Sequence, residues 1–213
     1  MNHIVFQSKC QGYSHIKSDL ECQDSTLVKK TEKYAIAVVA DGHGSASYFR
    51  SSRGSLFATE AAITAIEELL ETILSDKSNM DDFCASIDKH LIQLERSVIA
   101  RWHERVEDDY SKNPFLDSEI LKVDEKHKEK YLKGERIEAA YGSTLIAVAC
   151  TDAFWFGIHI GDGKCITCDY SGNFAEPIPW DEKCFLNVTT SISDSNAVSY
   201  THLRAHETVL DLV

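Results

Sequence analysis

The segment Tyr34–Gly44, Y-A-I-A-V-V-A-D-G-H-G, constrains the fold more than any other part of the chain. From Ala35 to Ala40 the residues are small or β-branched and apolar without a break, with charge on one side and glycine on the other. A run of this length and kind predicts a strand buried on both faces. Asp41, Gly42, His43 and Gly44 cannot continue it, because two glycines in four residues favour a turn. A carboxylate and an imidazole therefore stand at the edge of a core on a rigid element, beside backbone that other groups can approach closely. The same residues would also serve as a plain Asx-type turn with His43 exposed, so the segment alone leaves both readings open.

The 213 residues suit one domain with a real core, and 43% hydrophobic with 26% charged residues is a globular balance. A net charge of −12, with no dense basic stretch, argues against a nucleic-acid surface. No basic region followed by a long apolar segment opens the chain, and no stretch approaches the ~18 apolar residues of a membrane helix. The expectation is thus a cytoplasmic protein with no nucleic-acid and no membrane partner. Seven cysteines, an odd count without an export signal, read as reduced thiols. Cys165 and Cys168 have C-x-x-C spacing, but no second pair accompanies them, so thiols are expected there and not zinc.

In chain order, His3–Lys9 predicts a weak first strand and Gln11–Gln23 a polar loop. Ser25–Lys29 predicts a short strand that turns at Thr31–Lys33 into the apolar run. Such a hairpin brings Asp24 beside Asp41, and two converging carboxylates are costly unless a cation or a shared proton lies between them. Ala58, Ala62, Ile66, Leu69 and Ile73 then predict an amphipathic helix with Ser45 as its cap. After a break at Lys77–Asn79, a second helical stripe runs from Phe83 through Ile87, Leu91, Leu94 and Val98 to Trp102, all expected to face the core. Glu104–Arg136 is charged and weakly periodic, a helical insertion or flap, with His127 expected in solvent. Leu145–Cys150 and Ala153–Ile160 predict further strands in a tight antiparallel meander, with Lys164–Asp169 as hairpin partner of the latter and a turn at Tyr170–Asn173.

Asp24, Asp41 and Asp162 each stand at a strand edge, two of them flanked by glycine. Mg²⁺ and Mn²⁺ require oxygen ligands on rigid edges with room for several waters, and the carbonyl of Gly42 is an oxygen that an unhindered turn can supply. His43 is placed to protonate a leaving group, and a water bridging two such ions is a nucleophile for phosphate-ester hydrolysis. No P-loop, nucleophile elbow or dinucleotide fingerprint supports a competing chemistry.

The V-V-A-D-G-H-G run is preceded by Gln23-Asp24 and followed by Y-G-S-T at Tyr141–Thr144 and I-G-D at Ile160–Asp162. In this order the motifs resemble the metal-dependent serine/threonine protein phosphatases, the protein phosphatase 2C-like family, from about Gly12 to about Asp169. The resemblance implies an α+β fold: a two-layer antiparallel β-sandwich flanked by antiparallel helix pairs, incomplete at the C-terminus. It also implies hydrolysis of phosphoserine and phosphothreonine with two Mg²⁺ or Mn²⁺ ions. By that resemblance Asp41 bridges the metals, Gly42 binds one through its carbonyl, and Asp24 with Gln23 behind it holds metal-bound water. Asp162 matches the position of an additional, weaker metal, and His43 protonates the leaving oxygen. The partners implied are a phosphorylated protein substrate and a cognate kinase, for a monomeric signalling enzyme.

The chain departs from the family pattern in two places. An arginine that grips the substrate phosphate is missing just before Asp24, where Ser14, His15 or Lys17 are substitutes without an assignment. Two late aspartates of the metal site are missing as well, and Asp194-Ser195-Asn196 lacks the apolar strand that should precede one. These departures keep open a phosphatase-like binding or regulatory module without catalysis. The final stretch, 198–213, resembles the peptide read from sequencing-adapter DNA at the end of an assembled fragment. The expected organisation is therefore a phosphatase-like domain over 1–197 and a non-native tail over 198–213.

Overall fold

The apolar run becomes β2 (Tyr34–Asp41), the strand through which both sides of the sheet are joined. Tyr34, Ala35, Ile36, Val38 and Ala40 are buried and Val39 is exposed, close to the two-sided burial the sequence predicts. The computed structural model describes residues 3–17, 20–185, 188–199 and 202–207, the last of these as backbone. In chain order the elements are α1 (Tyr13–Lys17), β1 (Asp24–Lys30), β2, α2 (Ser51–Ile73), α3 (Lys77–Ala85), α4 (Ile87–Lys112), α5 (Asp117–Ile120), α6 (Glu125–Leu132), β3 (Leu145–Thr151), β4 (Phe154–Ile160), β5 (Thr167–Cys168), β6 (Phe174–Ala175) and β7 (His202–Glu207). Strands β1-β2-β3-β4-β7 form one antiparallel sheet, and β5-β6 form a separate two-stranded ladder. The fold is α+β with an antiparallel sheet, as expected. Among the described residues the only other ladder between named strands is β5-β6, whose four residues are exposed.

One face of the sheet carries Ile36, Val38, Leu145, Ala147, Phe156 and Ile158, each at most 1% exposed, against α2 and α4. Apolar area removed from water here is the main stabilising term. The helices come together through small residues. Gly54 in α2 lies so close to the turn that leads into β3 that a Cβ on it would fall 1.7 Å from the carbonyl oxygen of Tyr141. Its own carbonyl accepts a hydrogen bond of 3.0 Å from the indole of Trp102, which is fully buried in packing, as predicted. The opposite sheet face is covered by the segment after β4, where Ile178 sits over Gly157.

Several expectations are corrected. His3–Lys9 forms no strand, and the loop Gln11–Gln23 contains α1. Ser45 does not cap α2. It precedes a 3-10 turn at Ala46–Tyr48 without a side-chain cap bond, and α2 begins after Arg50. Lys77–Asn79 is no break, because the Asp76 carboxylate accepts from the Asn79 N–H and starts α3 there. The second stripe is instead interrupted at Ser86, whose φ of −140° and ψ of 38° separate α3 from α4. Lys164–Asp169 does not pair with β4. Gly161, at φ 109°, turns the chain away, β7 occupies the β4 edge, and Asp169 closes the Tyr170–Asn173 turn by accepting from the N–H groups of Ser171 and Asn173. Of the tail over 198–213, residues 200–201 and 208–213 lie outside the described residues, and 202–207 pair with β4 as β7.

Residues 104–136 continue α4 to Lys112 and then form α5 and α6. What attaches them is Arg50, only 6% exposed. Its guanidinium donates to both Glu119 carboxylate oxygens (2.9 and 3.0 Å), to the carbonyls of Asn113 and Pro114 and to the Tyr141 hydroxyl, and lies 4.7 Å over the Phe115 ring. A fork of planar donors suits this set, where a lysine would not. Removing one member of a buried ion network leaves the others desolvated and unpaired, at about 3–5 kcal/mol, against ~0–1 kcal/mol for an exposed pair. Arg50→Ala is expected to lose stability at the lower end of that range in denaturant unfolding, with the first proteolytic cuts falling within 113–136. A loss under about 1 kcal/mol with an unaltered cleavage pattern would show the network to be dispensable.

Candidate metal centre and active site

The site is set by strand register. Asp24 and Asp41 are direct partners at the open end of the β1-β2 ladder, so the hairpin brings the two carboxylates face to face. Partial burial, then the hydrogen bond and charge of Asp24, then the charge of Asp162, push the Asp41 carboxyl up to about 6, against a lowering by His15. The turn beyond is strapped to the start of β3. Thr144 N–H and the Ser143 hydroxyl donate to the Asp41 carbonyl (2.9 and 3.0 Å), the Thr144 hydroxyl accepts from Asp41 N–H, and His43 N–H donates to Gly142 O at 3.1 Å. The Y-G-S-T motif is therefore the clamp that holds Asp41 and His43 in place.

Gly42 is required sterically. A Cβ there would fall 2.6 Å from Ser51 O and 2.8 Å from Gln23 O, both backbone atoms that cannot yield. Gln23 works from behind: its carbonyl accepts from Gly42 N–H, and its amide donates to His43 O and to the Ser51 hydroxyl (2.8 Å). The His43 ring packs edge-on against Tyr48, with centroids 4.7 Å apart. Burial lowers its pKa below the usual 6.5, opposed by the charges of Asp194 and Asp162.

Asp24, Asp41, Gly42, His43 and Asp162 thus converge at one end of the sheet, Asp162 from the turn after β4, where it accepts from the Thr189 hydroxyl at 3.3 Å. Among the described residues, no three His, Cys, Asp or Glu side chains form a closed ligand cluster. What is present is a facing carboxylate pair with a third carboxylate at charge-interaction range. The donor set fits a hard divalent cation: its side chains are oxygen donors, and a paired acid that holds on to its proton to about 6 is the state expected of such a pair without a cation. Of the candidate phosphate grips, His15 stands near Asp41, Lys17 lies over the Tyr13 ring, and the Ser14 side chain is outside the described residues. Cys165 and Cys168 are free thiols, like the other five cysteines.

One contributor was undervalued by the sequence reading. Asp194 faces the site, its charge reaching both His43 and Tyr48. The loop that carries it is docked on β3's lead-in by Ile192 N–H to Ser143 O (2.9 Å) and Ser143 N–H to the Ser191 hydroxyl. No apolar strand precedes Asp194, so periodicity gave no signal. The run of Ser and Thr over 189–195 signals only a loop.

An antiparallel sheet with paired helices thus carries a facing acidic pair beside a histidine at one end. A family model described as protein phosphatase 2C matches residues 11–212, and the chain belongs to that family. Among solved structures it is similar to a bacterial serine phosphatase (TM-score 0.52, 13% identity, 88% of this chain and 68% of the other). It is also similar to the serine/threonine phosphatase Stp1 from Staphylococcus aureus (TM-score 0.52, 12% identity, 89% and 66%). At these identities the likeness is one of fold. The chain spans about two thirds of the length of such relatives. No curated protein matches it in sequence.

The raised Asp41 carboxyl has a sign that can be tested. A folded pKa of about 6 against the usual 3.8 adds stability below about pH 4 and loses it as pH rises through 6. The pair is open to solvent, so the effect is discounted to about 1 kcal/mol, or roughly 2–4 °C. Metal-free protein is expected to lose melting temperature from pH 4 to 7, and Asp41→Asn to flatten that slope and to remove any rise on adding Mn²⁺. A slope unaltered by the substitution would show the pair to be uncoupled.

Proposed function

We propose that the complete protein is a cytoplasmic phosphoprotein phosphatase that hydrolyses phosphoserine and phosphothreonine, using Mg²⁺ or Mn²⁺. The observation that carries this reading is the register that sets Asp24 against Asp41, with His43 two residues further on in a strapped turn. Asp41, Asp24 and the Gly42 carbonyl would hold the ions, and Asp162 an additional one. Bound there, the ions supply positive charge that neutralises the substrate phosphate and raises the acidity of water. The remaining work falls to the chain. Gln23 and the Gly142–Thr144 clamp fix the turn, Tyr48 sets the plane of the imidazole, and His43 gives its proton to the departing seryl or threonyl oxygen. A kinase that writes the mark is the implied counterpart, and the protein would act as a monomer.

Manganese-stimulated phosphate release from a phosphothreonine peptide is expected of the full-length gene product. It should fall by at least 10²-fold in Asp41→Ala and by about 10²–10⁴-fold in His43→Ala. Release that persists in excess chelator would refute the proposal. We also propose that 198–213 is not native sequence, on its likeness to a peptide translated from adapter DNA, although the family match itself runs to residue 212. The gene read from an independent isolate should diverge from this chain near codon 198, and an identical reading there would overturn this part.

A further inference from the structure

A cavity of about 270 Å³ lies beside the proposed reaction centre, walled on one side by Ser47 and Tyr48 and on the other by α6 and the turn after it. Tyr48 is the shared wall, since its ring also packs on His43. The two sides are joined by the Tyr131 hydroxyl, which donates to Ser47 O at 2.8 Å. Into this cavity the insertion contributes three basic side chains, His127, Lys130 and Arg136. Their neighbours are engaged elsewhere: Lys128 pairs with Glu125 and Lys133 with Glu129. Neither Lys130 nor Arg136 is in an ion pair among the described residues. Arg136 is, moreover, the one non-glycine residue among them in the left-handed region, at φ 54° and ψ 50°. An arginine held there carries backbone strain, and strain retained at the rim of a cavity is a mark of a functional position. Asp124 and Glu135 also border the cavity, so with His127 neutral its lining is balanced in charge, and an anion there would draw on direct contacts to Lys130 and Arg136.

Lys130 and Arg136 stand without an ion-pair partner among the described residues at a hollow next to His43, and a guanidinium with an ammonium can hold an anion by charge-assisted hydrogen bonds. We infer that this cavity is a subsite for an anionic side chain, phosphorylated or acidic, that flanks the phosphoresidue in the substrate. The insertion over 104–136 then serves substrate selection. This rests on the phosphatase reading, and the test separates the two.

Labelled phosphothreonine peptides differing at one flanking position (Ala, Glu or phosphoserine) are compared on the full-length protein by phosphate release and by fluorescence anisotropy. The expected result is roughly tenfold higher kcat/KM and tighter binding for the anionic peptides, the glutamate and phosphoserine arms showing which anion is preferred. Lys130→Gln with Arg136→Gly, the glycine being at ease at this φ, should bring the preference to about one while the protein keeps its unfolding transition. His127→Gln offers a second, milder variant. Hydrolysis without preference, or preference that survives the double substitution, overturns the subsite. Absence of hydrolysis with a binding preference that the substitutions abolish would sink the phosphatase reading and leave the subsite standing.

Discussion

The pairing register of one hairpin governs everything else in this molecule. Because side chains alternate along a strand, slipping β1 by one residue against β2 would turn Asp24 to the other face and dissolve the acidic pair. The register is held by burial on the helix side, where Ile36, Val38 and Ala40 have no freedom to face water. It is held a second time by Gly42, which fits between the backbone carbonyls of Ser51 and Gln23 and nowhere else. The core thus sets the geometry of the chemistry, at the cost of like charges kept together in the metal-free state.

The second dependency runs through Arg50. A charged group this deeply buried is tolerated because every side of its guanidinium has a partner, and all of those partners but Tyr141 belong to the insertion. One buried fork therefore decides where α5 and α6 sit, and with them the wall that faces Tyr48. A helical excursion that looks peripheral in the sequence is in this way made part of the rim around the imidazole.

Much of this was legible in advance, for a physical reason. β2, β3 and β4 are largely buried strands whose apolar runs have few alternative readings, and α2 shows its stripe because only one of its faces meets the sheet. The motifs around Asp24, Asp41 and Asp162 were readable because rigid strand ends carry them. Other features depend on contacts that no window of sequence contains. The split at Ser86 is a backbone choice within a continuous stripe, and α3 starts at an Asp76 cap inside what reads as a linker. His3–Lys9 alternates like a strand but is paired to no strand among the described residues. Asp194 reaches the site only because a serine-rich loop docks on Ser143 some fifty residues away, an event invisible to periodicity.

Tyr141 occupies a junction with a mechanical meaning. Its hydroxyl bridges Arg50 and Asp109, its carbonyl abuts Gly54, and the next residue along, Gly142, accepts the main-chain hydrogen bond of His43. A rigid aromatic thus acts as a lever arm between the outlying helices and His43. Any displacement of α5 from its seat would therefore pull on the main-chain anchor of His43 from the far side while leaving the register of the acidic pair untouched.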